Sequence, residues 1–291
     1  MRNNEKRLGV NQGQSPSDDA PAATPTTEQP QPQGLSYVVP TEFVELPSRG
    51  AFYPNGHPLH NEEVVEIKYM TAKEEDILTS VALIKRGLAI DRLLGSILVN
   101  KKIDTETLTA GDRNAILIAA RISGYGKMYE TKVVCPSCGE VSPHVFDLET
   151  SEMTRSCFDE DFLQAKEVTL ENNLFFMTLP KTKVRVGLKV LTGKDEINLM
   201  NVRKKKKKDD AETPVTDQLS SIIVSLNGET DPWNIRRFVQ SMPIADSKFV
   251  RTVYKQLVPN IDLTQAFACY NCGHMSDMEV PFNTEFFWPK Q

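Results

Sequence analysis

Cys135-Pro136-Ser137-Cys138-Gly139 returns 134 residues later as Cys269-Tyr270-Asn271-Cys272-Gly273, and these two pentapeptides decide how the chain folds. A gap of two residues lets both sulfurs of a pair turn toward one centre. The glycine that follows supplies backbone freedom and a close N–H approach to a thiolate. Two such knuckles give the closed set of four thiolates expected of structural zinc. The spacing therefore predicts that Cys135, Cys138, Cys269 and Cys272 bind one structural zinc ion and clip two distant parts of the chain together. Strand-like flanks support it: Tyr129 to Val134 before the first pair and Val280 to Phe282 after the second. A thioredoxin-like redox pair would want one C-x-x-C between a strand and a helix. Disulfides would conflict with a reducing compartment. Four thiolates leave no open position for water or substrate, which disfavours catalytic zinc. Cys157 stands apart as a small buried residue, and His274 reads as a partly exposed loop histidine.

Outward from the knuckles, the two halves of the chain repeat an order of signals. An offset of 134 aligns Leu108, Asp112 and Ile116 with Met242, Asp246 and Val250, and carries the first cysteine pair onto the second. An offset of 121 aligns Thr71, Lys73, Glu74, Glu75 and Leu78 with Thr192, Lys194, Asp195, Glu196 and Leu199. From the helix-start Asp to the first Cys is 23 residues in both halves (135 minus 112, 269 minus 246). Thr71 with Glu74 is a capping box, preceded by a strand from Val64 to Tyr69, and its helix should run through Ile84 to Gly87. Further helices are expected over Ile90 to Leu98 and from Asp112 to Ile122. In the second half a strand from Val184 to Val190 precedes the helix start at Thr192. Thr213-Pro214 and Asp231-Pro232 look like N-caps with Pro at the first helical position. A last helix spans Asp246 to Leu257. Near the front, Phe43 to Leu46, Pro47 to Gly50 and Ala51 to Tyr53 read as strand, turn, strand.

The fold class expected is α+β: two related strand-plus-three-helix units joined by a zinc-ribbon-like pair of four-cysteine knuckles. Residues 37–150 form the first unit and 151–291 the second. The competing account is convergent use of ordinary caps around two needed cysteine pairs. Residues 1–36, rich in Pro, Gln, Ser and Thr, read as a disordered arm.

With 291 residues and 40% hydrophobic composition the chain can bury a real core. Its formal net charge of −5, from 34 basic and 39 acidic residues, argues against a general nucleic-acid binder. No secretory signal or bilayer-spanning apolar run is visible, which points to a reducing cytosol. Arg203 with Lys204 to Lys208 is the strongest charge run; without interleaved aromatics it reads as a solvated face. The alternative it carries is a zinc-dependent regulator that binds nucleic acid. Phe286, Phe287 and Trp288 belong to a dense aromatic tail that either packs over the zinc unit or anchors a partner. Neither a nucleophile-base-acid set nor a phosphate loop emerges, so the sequence speaks against an enzyme and a small-molecule substrate.

Several strings, in order, resemble the baseplate-hub and hub-assembly family of T-even-type contractile-tailed phages. They are Leu46-Pro47-Ser48-Arg49-Gly50-Ala51-Phe52-Tyr53-Pro54, Leu108-Thr109-Ala110-Gly111-Asp112-Arg113 and Arg121-Ile122-Ser123-Gly124-Tyr125-Gly126. The first knuckle, Leu191-Thr192-Gly193-Lys194-Asp195-Glu196, Met242-Pro243-Ile244-Ala245-Asp246-Ser247 and Phe286-Phe287-Trp288-Pro289 complete the set. The likeness covers roughly residues 43–290. It implies a non-enzymatic protein that helps build the hub of a tail baseplate, by contacts with other tail and baseplate hub proteins. It implies a place in the host bacterial cytoplasm during assembly, or in the virion tail.

Overall fold

The computed structural model describes residues 38–205, 213–281 and 284–287. The expected arm at 1–36 lies outside them. The chain begins with β1 (Thr41–Glu45) and β2 (Val64–Lys68), followed by α1 (Ala72–Thr79), α2 (Val81–Arg86), α3 (Ala89–Ile97) and α4 (Ala110–Tyr125). Next come β3 (Met128–Val134), β4 (Val141–Asp147) and β5 (Glu152–Thr154). The second half runs α5 (Glu160–Ala165), β6 (Thr169–Glu171), β7 (Leu174–Thr178), β8 (Arg185–Lys189), α6 (Gly193–Lys205), α7 (Pro214–Ile222), β9 (Ile223–Leu226), α8 (Pro232–Ser241) and α9 (Ile244–Leu257). It closes with β10 (Asn260–Asp262), β11 (Thr264–Ala268), β12 (Met275–Glu279) and a 3-10 turn at Thr284–Phe287. The class is α+β.

All described strand pairs are antiparallel. Strands β6-β7-β8-β9 form a four-stranded sheet, while β1-β2, β3-β4 and β11-β12 are two-stranded. Strand β5 from the first half pairs with β10 from the second, Met153 opposite Ile261. The period of two is plain in β3, where Tyr129, Thr131 and Val133 are buried between exposed neighbours. Pro214 and Pro232 do stand in the first turns of α7 and α8, where a missing N–H costs nothing.

Two expectations need correction. Ala51 to Tyr53 is turn rather than strand, and β1 pairs with β2 instead. The reason is a buried acceptor: the Ser48 N–H and hydroxyl and the Tyr53 hydroxyl all donate to Asp112 at the start of α4, which winds the segment round that carboxylate. The helix expected from Thr71 to Ile84 breaks at Ser80, whose backbone is extended at ψ 103. A serine and a threonine in succession compete with helical bonding, and the Thr79 hydroxyl bonds back to the Glu75 carbonyl. Gly87, in a left-handed conformation at φ 72, ends α2 as anticipated.

Two hydrophobic cores result. One gathers Leu46, Leu93, Ile116, Tyr129 and Phe146; the other gathers Phe175, Leu188, Ile222, Val250 and Leu257. Ile261, Phe267, Val280, Phe286 and Phe287 belong to the first core. The chain's last strands therefore finish what its first half began.

The same polar joints occur in both halves. Lys68 ends β2 and donates to Glu74, which also accepts from the Thr71 N–H and hydroxyl. Lys189 ends β8 and donates to Asp195, which accepts from the Thr192 N–H and hydroxyl. Asp112 caps the Leu46-Pro47-Ser48 turn through the Ser48 N–H at 2.9 Å. Asp246 caps the Leu179-Pro180-Lys181 turn through the N–H groups of Lys181 and Thr182, at 2.8 and 2.9 Å. Both aspartates are fully buried. Burial pushes the carboxyl of Asp246 up, but those N–H donors outweigh it and hold its pKa below the ordinary value.

Candidate metal centre

Each cysteine pair sits at the tip of a hairpin, β3-β4 or β11-β12, and the two tips are built alike. The Cys135 N–H donates to the Glu140 carbonyl and the Gly139 N–H to the Cys135 carbonyl. The Cys269 N–H donates to the His274 carbonyl and the Gly273 N–H to the Cys269 carbonyl, and all four bonds are 2.9 Å. This tight turn puts Gly139 at φ 73 and Gly273 at φ 68, where a Cβ would be strained. Open space surrounds both glycines, so the requirement is conformational rather than steric.

The tips converge. The ligand atoms of Cys135, Cys138, Cys269 and Cys272 all lie within 4.8 Å of one another. Across the two hairpins, Cys135 Sγ is 3.8 Å from Cys272 Sγ and Cys138 Sγ is 3.7 Å from Cys269 Sγ. A tetrahedron with metal–sulfur bonds of about 2.3 Å has sulfur–sulfur edges of about 3.8 Å. Disulfide bonds need about 2.05 Å, and all four thiols are free. The residues fit a metal ion. Cys135 and Cys269 are buried on the core side while Cys138 and Cys272 face solvent.

The backbone favours thiolate here. The N–H of Glu140 bonds to Cys138 and, with the neighbouring thiols, brings its pKa down to about 7. At Cys272 the matching N–H from His274 also lowers the pKa, but partial desolvation and the other three sulfurs outweigh it and hold the thiol above its ordinary value. Four crowded thiols cannot all ionise without a cation among them; a bound metal supplies that charge.

The remaining sequence candidates fall as follows. Cys157 is buried in the second core, away from the cluster, where burial raises its thiol to about 12. His274 is half-buried and serves the knuckle through its backbone. Phe286 and Phe287 are buried, and Phe286 lies edge-on to Tyr129 at 5.2 Å. Both belong to the first core. Trp288 lies outside the described residues, as do Lys206 to Lys208.

Arg121 is a structural tie whose contacts no spacing in the sequence signals. It is 1% exposed, and its Nε donates to the Phe286 carbonyl at 2.7 Å while Nη1 donates to the Gly126 carbonyl at 2.8 Å. Its guanidinium also lies over the rings of Tyr125 and Tyr129. One side chain thus ties α4, the start of β3 and the C-terminal turn together, beside the first knuckle hairpin.

The family described as "T4 bacteriophage base plate protein" matches residues 41–288 of the 291. The chain belongs to that family. Neither the curated proteins nor the solved structures yield a match. The match takes in both knuckles, both capped turns and the C-terminal aromatic turn, so the baseplate family and the four-cysteine cluster share one body. No described helix is long and apolar enough to cross a membrane.

Proposed function

We propose that this baseplate protein is a non-enzymatic component or assembly factor of the baseplate hub, built from two copies of one unit and seamed by a single structural zinc ion. The observation that carries the reading is the cross-hairpin sulfur spacing of 3.8 and 3.7 Å, the edge of a zinc–tetrathiolate tetrahedron. Energetics favour the seam. Closing the 130 residues between Cys138 and Cys269 costs about 4–5 kcal/mol of chain entropy. Structural zinc sites release about 10–16 kcal/mol at neutral pH. The ion can therefore hold the last hairpin on the first core, and metal binding and folding are coupled.

Duplication is supported by the paired joints. Lysine, threonine and carboxylate recur at each helix start, a buried aspartate recurs under each Leu-Pro turn, and the knuckles share their backbone bonds at matching offsets. A metal with four protein ligands has no position for a substrate. Its work is to fix shape, and the surfaces so fixed bind other tail and hub proteins, in the host cytoplasm during assembly or in the tail of the virion. The test is affinity capture from infected cells with the zinc-loaded chain and with Cys269→Ser. Wild type is expected to retain hub proteins and the variant to lose both zinc and partners. Capture that survives complete loss of metal would sink the coupling of zinc to assembly.

A further inference from the structure

The joint between the two halves uses each half once and leaves one matching surface on each uncovered. In that joint the turn leading into α4 runs antiparallel to the turn leading into α6. The Ala110 N–H donates to the Leu191 carbonyl and the Gly193 N–H to the Leu108 carbonyl, both at 2.9 Å, with Thr109 opposite Thr192. Leu108, Thr109 and Gly193 are buried there. The offset of 134 carries Leu108-Thr109-Ala110 onto Met242-Pro243-Ile244, and the offset of 121 carries Leu191-Thr192-Gly193 back onto Met70-Thr71-Ala72. Among the described residues no backbone bond links these two counterparts. Ile244 is 85% exposed, and Pro243, Ala245 and Ala72 are exposed as well.

We propose that a second copy of this chain docks there, the Met242-Pro243-Ile244 turn of one copy lying against Met70-Thr71-Ala72 of the next. The internal joint is the template, so the inference rests on reading the chain as two copies of one unit. Three details of the outer surfaces fit it. The bridge draws on the N–H after its central residue and the carbonyl before it, so Pro243, which has no N–H, is compatible. In the internal joint a Cβ on Gly193 would meet Arg113 Nη1 at 2.8 Å. At the outer surfaces that glycine becomes Ala72 and the arginine becomes Ser247, so the methyl gained faces a side chain lost. Glu196 lies in the field of Arg113 across the internal joint. At the outer surfaces Glu75, the counterpart of Glu196, lies one turn from Ala72, and Lys248, the residue after the counterpart of Arg113, lies one turn from Ile244; both are exposed, so opposite charges are available across the contact. Because the two surfaces are different patches, the contact is head-to-tail and propagates to a ring or a filament.

Sedimentation velocity on the full-length, zinc-loaded chain from micromolar to millimolar concentration tests this. The wild-type sedimentation coefficient is expected to rise with concentration. Ile244→Glu and Ala72→Glu should each lose that rise; both sites are exposed and in first helical turns, where an acid is tolerated. An equal mixture of the two should recover a two-chain species and nothing larger, because each variant keeps the surface the other lacks. A wild type that stays monomeric, single variants that associate like wild type, or a mixture that stays monomeric each overturns the proposal. Zinc content and capture of hub proteins are read on the same samples. If they persist while association fails, the proposed function stands without this inference; if they fail as well, it falls with it.

Discussion

Replacing Glu74 with Gln isolates what the buried joint at the first helix start contributes. Glu74 is fully buried, and its carboxylate accepts from the Ser96 hydroxyl, the Thr71 hydroxyl and N–H, and the Lys68 ammonium. Burial alone raises its pKa, but these four donors outweigh it and hold the carboxyl at about 2. Against about 4.3 in the unfolded chain, that is roughly a two-hundredfold change in proton affinity, or about 3 kcal/mol. The folded pKa is the depressed one. The contribution is therefore fully present above pH about 4.3 and is lost as pH falls through about 2. At pH 7 Glu74→Gln is expected to lower the unfolding free energy by about 2–3 kcal/mol, since the amide oxygen keeps part of the bonding. By pH 3 the gap should shrink to about half. Urea unfolding of both proteins at both pH values, followed by circular dichroism, reads the difference; acid release of metal affects the two alike. Equal stability at pH 7, or a gap unchanged at pH 3, would refute the assignment of this stability to the charge.

Gly273→Ala must place a Cβ at φ 68; it should cost about 1 kcal/mol and weaken metal retention against a chelator, with no overall change of fold. Arg121→Met removes one donor from the Phe286 carbonyl and one from the Gly126 carbonyl, with an expected loss of about 1–3 kcal/mol by thermal unfolding and faster proteolysis near residue 286. Cys157→Ala should keep the wild-type metal content, because that thiol sits in the other core; loss of metal would reassign the site.

The meeting of four cysteines was legible because C-x-x-C-Gly is a local signature, and local geometry dictates the knuckle wherever it occurs. Helix starts were legible for the same reason: Thr71, Thr192, Pro214 and Pro232 announce themselves within one turn of chain. The joints were not. Asp112 reads as an ordinary first-turn acid, and nothing local says that it will wind Ser48 and Tyr53 around itself from some 60 residues away. Arg121 has no periodic signal either, since its partners are backbone carbonyls, which every residue carries. The strings that resemble the hub family nevertheless meet in pairs. Leu46 to Pro54 wraps the Asp112 of Leu108 to Arg113, and the Arg121 of the third string grips the Phe286 of the last. The aromatic tail was open to two readings because an aromatic suits a core or an interface equally well; within this chain Phe286 and Phe287 are buried.

Zinc content of the full-length chain, purified without chelator under reducing conditions, tests the central claim most directly. Native mass spectrometry alongside elemental analysis should find one zinc per chain, and Cys269→Ser should remove it entirely. A chain that folds with no stoichiometric metal, or with its four thiols joined as disulfides, would contradict the claim that zinc seams the two hairpins.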